Sequence, residues 1–402
     1  MVLQHFVFLL QYIAMRNVTA VLDISIPSNC HIVQGVAAYM HEVGNWRLRV
    51  AESPLESIPD PRSWKCDGLI ASFYNQSVAS AILALGVPIV DTGGGKGWYD
   101  SESGIPYLGT DNRAIAQMAA RHLIEQGYRH FGFCGYRRTK RTDWSAERAE
   151  AFRETVGEAG YRCHTFLAST SHGGRWLNRR TGLPAWLAAR PRPLAVMACN
   201  DGCAQRVLDA CRVAGLKVPD DVGLVGVDNN EMMCRLADPP LTSIEQGYRT
   251  LGYEAARTLD LLMRGRKPPA MGRVIPPERL IARRSTDVFL FDDTDLCAAL
   301  EFVRRHACDP IRVADVLTAV QLSRSTLERK FHAALGRSIH AEIRRVQIAH
   351  ACELLARPEL MVKQVARRSG FRTVQYLSAV FREATGQKPS DYRREKLRGL
   401  WF

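Results

Sequence analysis

The chain has 402 residues, of which 46% are hydrophobic and 24% charged, so it is long enough for two or three globular domains and is neither disordered nor fibrous in composition. Its formal net charge of +13 is distributed unevenly. Residues 296–402 hold 20 Lys and Arg against 10 Asp and Glu, whereas the rest of the chain carries only +3. A near-neutral body with a basic end is typical of proteins that bind a phosphate backbone, and a merely solvated basic surface is the plainer alternative.

The eleven cysteines do not form a recognisable framework. Their number is odd, no Cys-x-x-Cys occurs, and Cys199 and Cys203 have no further Cys or His at zinc spacing. We therefore expect reduced thiols, no metal site and a cytoplasmic protein.

The N-terminal segment contains an apolar run at residues 6–10. The run is too short to span a bilayer and lacks the basic region of a secretory signal. Met15 is a candidate translation start, because a predicted strand follows it directly. We expect no membrane or export segment.

Short apolar runs alternate with amphipathic segments from residue 17 to about residue 260. The predicted strands are 18–24, 47–51, 68–73, 88–91, 131–135, 194–198 and 223–227. The predicted helices include 32–43, 114–126, 145–159 and 205–214. This alternation indicates parallel sheets covered on both faces, with too many strands for one small unit. We predict an α/β fold of two doubly wound lobes that face each other across a cleft.

Polar residues stand at or just after several predicted strand ends, namely Asp91, Asn200, Asp201 and Asp228. Ligands of open α/β sheets bind outside the carboxyl ends of the strands, so these side chains are candidates to line the cleft. A single Asp at such a position is more often a helix cap. The repetition at equivalent positions favours a polar binding site.

The alternation stops around residues 271–287, which read as an edge strand or an extended tail, and helical patterning alone follows residue 293. We predict an α/β domain over residues 16–287, a linker over 288–295 and an all-α domain over 296–402.

Enzyme motifs are incomplete in this sequence. Asp91-Thr92-Gly93 has the letters of an aspartic-protease loop but no second copy, and that chemistry needs two facing carboxylates. The glycine-rich residues 93–97 lack the Ser or Thr that follows a phosphate-loop lysine, so we expect a flexible turn there. We expect neither an enzyme nor a cofactor.

The C-terminal domain shows one helical arrangement twice. A short helix over residues 313–320 is followed by a turn at Gln321 and Leu322, and Ser323 is a good N-cap for a second helix with Leu327 and Phe331 inward. After a long helix over residues 338–356, the pattern recurs. The first helix of this second pair has an apolar face of Val362, Val365 and Ala366. The second helix covers residues 373–383, with Leu377 and Phe381 inward. Such pairs predict two helix-turn-helix units, each with a second helix of the right size for a DNA major groove.

Residues 296–395 resemble the arabinose-regulator (AraC-type) DNA-binding domain. Three runs carry the resemblance: Val362-x-x-Val365-Ala366-x-x-Ser369-Gly370-Phe371, Tyr376-Leu377-Ser378-x-x-Phe381-Arg382 and Gly386-x-x-Pro389-Ser390-x-Tyr392-Arg393. The resemblance implies DNA contacts by Arg324, Ser325, Glu328, Arg329, Arg372, Thr373, Gln375 and Tyr376. The chain departs from the family at Ala379 and Gln347, where Arg or Lys is common.

The first domain resembles the lactose-repressor and periplasmic-binding-protein-like sugar-binding fold. The resemblance is carried by Gly109-Thr110-Asp111-Asn112, Glu147-Arg148-Ala149-Glu150-Ala151-Phe152, Asn200-Asp201, Gly226-Val227-Asp228 and Leu241-Thr242-Ser243-Ile244-Glu245-Gln246. It implies ligand contacts by Asp111, Arg148, Asn200, Asp201, Asp228 and Gln246. Trp144 is a further candidate that can stack on a sugar face, and a Trp in the core or at the rim is the alternative.

This order of parts is similar to that of a family of bacterial sugar-operon regulators. The resemblance implies a DNA-binding transcription activator that acts as a homodimer with RNA polymerase. It also implies that the effector is D-xylose or a related pentose. The alternatives are the same architecture with another sugar, a sugar transport protein, or a sugar-processing enzyme. A transport protein would need an export signal and no basic end.

Overall fold

The computed structural model describes residues 15–51, 64–73, 75–93, 103–168, 176, 178, 180, 182–268, 272–288, 291, 293–355, 357 and 359–398. Residues 1–14 and the predicted turn at residues 94–97 lie outside them. The chain divides into two compact units, and the first extends to Val288.

The first unit contains twelve strands among its described residues. They are β1 (Arg16–Val21), β2 (Trp46–Val50), β3 (Gly68–Ser72), β4 (Ile89–Gly93), β5 (Tyr107–Thr110), β6 (His130–Tyr136), β7 (Cys163–Ala168), β8 (Leu194–Ala198), β9 (Val222–Val227), β10 (Thr242–Gln246), β11 (Gly272–Ile275) and β12 (Pro277–Ile281). They form two six-stranded sheets, in the orders β11-β5-β4-β3-β1-β2 and β12-β10-β9-β8-β6-β7. All neighbouring strands are parallel except β12, which runs antiparallel to β10. The predicted two-lobed α/β fold is confirmed.

Eight helices of the first unit connect these strands among the described residues. They are α1 (Pro27–Val43), α2 (Gln76–Leu83), α3 (Asn112–Glu125), α4 (Asp143–Glu158), α5 (Leu183–Ala188), α6 (Asp201–Ala214), α7 (Glu231–Leu236) and α8 (Tyr248–Met263). Strands β3, β8 and β9 are buried along their whole length, as expected for parallel strands covered on both faces.

Helices α1 and α8 cross at two glycines in the first lobe. A Cβ atom on Gly35 would lie 2.0 Å from the Arg249 carbonyl oxygen, and one on Gly252 would lie 2.0 Å from that of Ile32. Only glycine allows so close an approach of the two backbones. Helix α8 packs at this crossing against the core of the first sheet, and its Leu251 is buried there.

The stretch 271–287, predicted as an edge strand or an extended tail, contains two edge strands, one in each sheet. Two strands occupy this stretch: β11 joins the first sheet and β12 the second. Pro276 separates them and marks a passage of the chain between the lobes. Strands β5, β7 and β10 escaped prediction because β5 is short, β7 has partly exposed side chains, and β10 has the polar sequence Thr-Ser-Ile-Glu-Gln.

The chain passes between the two sheets at three places that the structure describes: between β5 and β6, between β10 and α8, and between β11 and β12. In each sheet the strand order reverses beside its first strand, at β1 and β3 in one lobe and at β6 and β8 in the other. Such reversal points are where doubly wound sheets bind ligands. The segments that follow β6, β8, β9 and β10 therefore define the second lobe's side of the cleft.

The second unit is helical. Its helices are α9 (Thr294–His306), α10 (Val313–Val320), α11 (Arg324–Leu335), α12 (Ile339–Leu355), α13 (Val362–Arg368), α14 (Val374–Thr385) and α15 (Pro389–Arg398). The first of them begins inside the predicted linker, with Asp293 as its N-cap. The predicted inward residues Leu327, Phe331, Leu377 and Phe381 are all fully buried, so the two helix-turn-helix pairs, α10–α11 and α13–α14, are confirmed.

All eleven cysteines are free thiols. In the part of the chain that the structure describes, no helix has the length and hydropathy needed to cross a bilayer.

Candidate functional site

Arg148 occupies the centre of the cleft-facing residues in the first unit. It projects from α4 and is 3% exposed. Its Nε donates to Asn112 Oδ1 at 2.9 Å, Nη1 to the Cys199 carbonyl at 2.6 Å and Nη2 to Gln246 Oε1 at 3.2 Å. The guanidinium thus ties together the start of α3, the end of β8 and the end of β10.

Asp228 and Gln246 continue this network. Gln246 Nε2 donates to Asp228 Oδ1 at 2.5 Å and to Tyr248 Oη at 2.7 Å, and Tyr248 Oη donates to Asp228 Oδ1 at 3.0 Å. Asp228 follows β9 in the second lobe, whereas Tyr248 opens α8 and packs against the core of the first lobe. Arg148, Gln246, Asp228 and Tyr248 are called the bridging network below, because their hydrogen bonds join the two lobes.

Burial raises the pKa of the Asp228 carboxyl, and the nearby Arg148 guanidinium opposes this rise. The backbone at Asp228 has φ of 108°, which a residue other than glycine rarely adopts. Strain of this kind clusters at functional sites, since the surrounding structure must impose it. His31, near the start of α1, adds a further polar group from the first lobe within electrostatic reach of Asp228.

Asp201 lies beside the bridging network but has its own partners. Oδ1 accepts from the Ser243 hydroxyl at 2.6 Å, and Oδ2 accepts from the Asn230 backbone N–H at 2.8 Å and the Cys234 thiol at 3.4 Å. Burial, with the negative charge of Asp228, raises the pKa of Asp201 to about 7. These bonds hold the loop after β9 in place.

Asp111 and Asn200 are helix caps in this structure. Asp111 Oδ1 accepts the Ala114 N–H at 2.9 Å, and Asn200 Oδ1 accepts the Cys203 N–H at 2.8 Å. The capping alternative that such strand-end residues allow is thus what the geometry gives these two side chains. Their ligand contacts stay predictions.

Trp144 is placed against Arg148. The Arg148 guanidinium lies 4.8 Å from the Trp144 ring centroid, a cation–π geometry, and the indole N–H donates to the Arg141 carbonyl at 3.0 Å. The half-buried ring also packs edge-on to Tyr136 at the end of β6. Trp144 therefore belongs to the wall around Arg148.

Sequence reasoning missed Asn112, Glu147 and Tyr248. Asn112 bonds to Arg148 through Oδ1 and donates through Nδ2 to Glu147 at 2.7 Å. The sequence indicated them only by their closeness to predicted site residues. Asn112 follows Asp111, Glu147 precedes Arg148, and Tyr248 lies two residues after Gln246.

Helix α11 presents the predicted contacts of the first helix-turn-helix unit. Ser323 caps it by accepting the Thr326 N–H, as predicted, and Arg324, Ser325 and Arg329 are exposed. Glu328 differs, because its carboxylate accepts the Ile339 N–H at 3.2 Å. This bond turns it toward the start of α12.

Helix α14 presents the predicted contacts of the second unit. Thr373 is its N-cap and accepts the Tyr376 N–H at 3.1 Å. Arg372, Thr373, Gln375 and Tyr376 are all exposed. The second unit therefore offers two exposed helix starts with polar side chains of the kind that contact bases and phosphates.

The fold and the site together define a ligand-responsive transcription regulator, with an α/β sensing domain followed by a DNA-binding domain. Three family models match the chain: "Periplasmic binding protein-like domain" over residues 120–286, "Helix-turn-helix domain" over 316–395 and "XylR N-terminal domain" over 19–113. The chain belongs to the family of xylose operon regulatory proteins. It is 32% identical over 363 residues to the Escherichia coli K12 protein of that name, with 90% of this chain and 93% of the relative covered. The Haemophilus influenzae protein is 30% identical, with 90% and 94% covered.

Solved structures give the same result. A structure of a xylose-binding transcription activator matches 95% of this chain and 98% of its own, with a TM-score of 0.61 and 31% identity. A transcriptional regulator in complex with cellobiose matches 70% of this chain and 89% of its own, with a TM-score of 0.53 and 24% identity, which supports the fold of the first unit alone. These relatives are regulators, so the class is that of transcription regulators and not of enzymes.

Proposed function

We propose that this chain is a D-xylose-responsive activator of genes for pentose use. The sugar binds in the cleft of the first unit, and the second unit binds double-stranded DNA. The relatives named for the xylose operon, and the solved structure named for a xylose-binding activator, support the choice of sugar and of activation.

The bridging network is the observation that carries the proposal. Arg148 offers a fork of N–H donors and Asp228 offers carboxylate acceptors, the complement of neighbouring sugar hydroxyls. Trp144 gives an aromatic face beside them, on which a sugar ring can stack. These groups belong to the second lobe, and Tyr248 of the first lobe donates to Asp228, so a sugar bound among them would change the free energy of the lobe arrangement.

We propose further that the regulator works as a cytoplasmic homodimer and acts together with RNA polymerase. Closed symmetric dimers are the commonest oligomers, and a dimer would place two sensing units and two basic DNA-binding units on one DNA duplex. Sugar binding would then alter how the paired DNA-binding units engage their sites.

Calorimetric titration of D-xylose into the full chain tests the choice of sugar, with L-arabinose, D-ribose and D-glucose as controls. Saturable binding of D-xylose that is tighter than binding of the control sugars is the expected result. Tighter binding of another sugar would contradict the assignment of xylose, and conversion of any of these sugars to a product would contradict a purely regulatory role.

A further inference from the structure

Arg283 joins the turn after β9 to the end of the first unit. Its Nη2 donates to Asn229 Oδ1 at 2.8 Å, and its Nη1 donates to the Leu241 carbonyl oxygen at 2.7 Å. Asn229 directly follows Asp228, whose carboxylate is proposed above to accept hydrogen bonds from the sugar. The Arg283 guanidinium therefore contacts the turn that carries a proposed sugar-binding residue.

The turn at Asp228 and Asn229 depends on side-chain contacts for its conformation. Its φ angles are 108° at Asp228 and 47° at Asn229, and two successive residues other than glycine rarely adopt such values. The Asn229 N–H donates to Ser243 Oγ at 3.0 Å, and the Asn229 side chain accepts from Arg283. A strained backbone persists only where its surroundings hold it. Loss of the Arg283 bond would therefore allow the turn, and Asp228 with it, to relax.

The same arginine begins the segment through which the chain leaves the first unit. Residues 283–286, called the exit segment below, follow β12 and precede the helical unit. Thr242 Oγ1 on β10 accepts the Arg283 N–H at 2.8 Å and donates to the Arg283 carbonyl at 2.9 Å. Ser285 Oγ donates to the Leu224 carbonyl of β9 at 2.6 Å and accepts the Thr242 N–H at 2.8 Å. The exit segment is therefore fixed to β9 and β10, the strands whose ends carry polar side chains of the cleft.

We propose that Arg283 couples occupancy of the sugar site to DNA binding, as a positioning residue that holds the sugar-binding turn and the exit segment in one arrangement. The inference rests on the proposed function and adds the residue through which the effect of the sugar leaves the sensing domain. A bound sugar would hold Asp228 in one position, and the fork of Arg283 donors ties that position to the exit segment. Without the fork, the turn can adjust to the sugar with no change at residues 283–286.

The first test compares sugar affinity with the response of DNA binding to saturating sugar, in the full chain and with a duplex that the protein selects from a random-sequence pool. For Arg283→Met we expect D-xylose affinity to fall by less than about tenfold, because the lost bond supports the turn and does not contact the sugar. The fold-change in DNA affinity that saturating D-xylose produces should fall to about one. Arg283→Lys keeps the charge but not the planar fork, so its response should also decrease.

The matched control is Arg284→Met, because Arg284 is the next residue and its side chain is exposed. Its sugar affinity and its DNA response should equal those of wild type. A loss of response in Arg284→Met equal to that in Arg283→Met would contradict a specific role of Arg283.

A double-mutant cycle with Asn229→Gly tests the hydrogen bond itself. Glycine removes the acceptor and adopts a positive φ without strain, so the backbone of the turn stays accessible. If Arg283 acts through Asn229, the double variant should lose no more of the response than Arg283→Met alone. Asn229→Gly alone carries the same test if Arg283→Met does not fold.

A wild-type response of Arg283→Met at saturating sugar would overturn the proposal, since Arg283 would then only support the turn. Additive losses in the double-mutant cycle would overturn it as well, because the two residues would act independently. If wild type bound no sugar, or bound sugar with no change in DNA affinity, the proposed function itself would fail, and this inference with it.

Discussion

Arg148 is a buried residue that we expect to contribute to ligand binding more than to folding stability. Its three hydrogen bonds among the described residues all end on neutral oxygens, those of Asn112, Cys199 and Gln246. A buried guanidinium whose hydrogen-bond acceptors are neutral is costly for a protein to hold, and the Asp228 carboxylate lies within electrostatic reach to offset part of that cost. Because Arg148 lies at the cleft between the two lobes, a ligand bound there can accept hydrogen bonds from its guanidinium.

The first prediction concerns Arg148→Ala and Asp228→Ala. Each variant should stay folded and bind DNA, while D-xylose affinity should fall by about two orders of magnitude or more, because polar groups of the sugar lose a charged partner. Calorimetric titration measures the loss, with Arg153→Ala on the exposed side of α4 as the control. Unchanged affinity in either cleft variant would remove that residue from the site, and a lowered melting temperature with affinity retained would assign it to folding.

The second prediction concerns the pH dependence set by Asp201. Its pKa is raised from 3.8 to about 7 in the folded chain, so the folded state holds a proton that the unfolded state releases between these values. Its contribution to the stability of the first unit should therefore decrease as pH rises from about 4 to about 7. Thermal unfolding across this range should show a shallower decrease in Asp201→Asn than in wild type. Asp209→Asn, on the same helix but half exposed, should behave as wild type.

At the scale of elements, the two helix-turn-helix units should act at separate positions on DNA. Arg329→Ala and Gln375→Ala should each weaken specific binding by roughly 1–3 kcal/mol and relax base preference at one position. The two positions should lie about one DNA turn apart, because α12 joins both units. Binding to duplexes with single base changes measures this. Lys330→Ala is the control, since Lys330 is bonded to Asp293 and Asp295; relaxed preference in that variant, or a footprint of one groove per subunit, would contradict the two-unit account.

Helix α12 depends on a buried carboxylate. Glu342 is 1% exposed and accepts from Arg337 at 2.6 Å and from Arg345 at 2.7 Å. Burial alone would raise its pKa, but the hydrogen bonds and charges of Arg345 and Arg337 hold the pKa below the ordinary 4.5. Its contribution to stability is therefore complete above about pH 4.5 and is lost as the pH falls below that value.

The fourth prediction follows from this arrangement. Glu342→Gln should destabilise the second unit by about 1–3 kcal/mol, because Arg337 and the half-exposed Arg345 lose their charged hydrogen-bond acceptor. Hydrogen exchange of the α12 amides should become correspondingly faster. Glu301→Gln removes a more exposed partner of Arg304 and Arg305 and should cost less than about 1 kcal/mol. Equal effects of the two substitutions would contradict the structural role of Glu342.

Helices with a clear amphipathic periodicity could be predicted from sequence. The short strands at which the chain passes from one lobe to the other could not. The amphipathic pairs α10–α11 and α13–α14 lie within a few residues of their predicted positions. Strands β11 and β12 could not be told apart from sequence, because segments of four and five residues carry little periodicity and tertiary pairing decides which sheet each one joins. The site shows the same limit: Tyr248 meets Asp228 only because the chain returns to the first lobe after β10. Glu328 illustrates the converse, since sequence cannot tell a helix-capping carboxylate from a base-reading one.

At the scale of the whole molecule, function requires that the sensing and DNA-binding units be thermodynamically linked. A ligand can shift DNA binding only by its difference in affinity between two states of the protein, and DNA must then change ligand affinity by the same factor. The bridging network supplies the ligand's side of this linkage, since its donors and acceptors come from both lobes.

The most direct test of the account is DNA affinity of the full chain with and without saturating D-xylose, in wild type and in Asp228→Ala. The account predicts that D-xylose changes the wild-type affinity for a selected duplex and leaves the affinity of Asp228→Ala unchanged at the same sugar concentration, while both proteins bind DNA equally without sugar. An equal response of the two proteins to D-xylose, or no response of wild type to a sugar that it binds, would contradict the account.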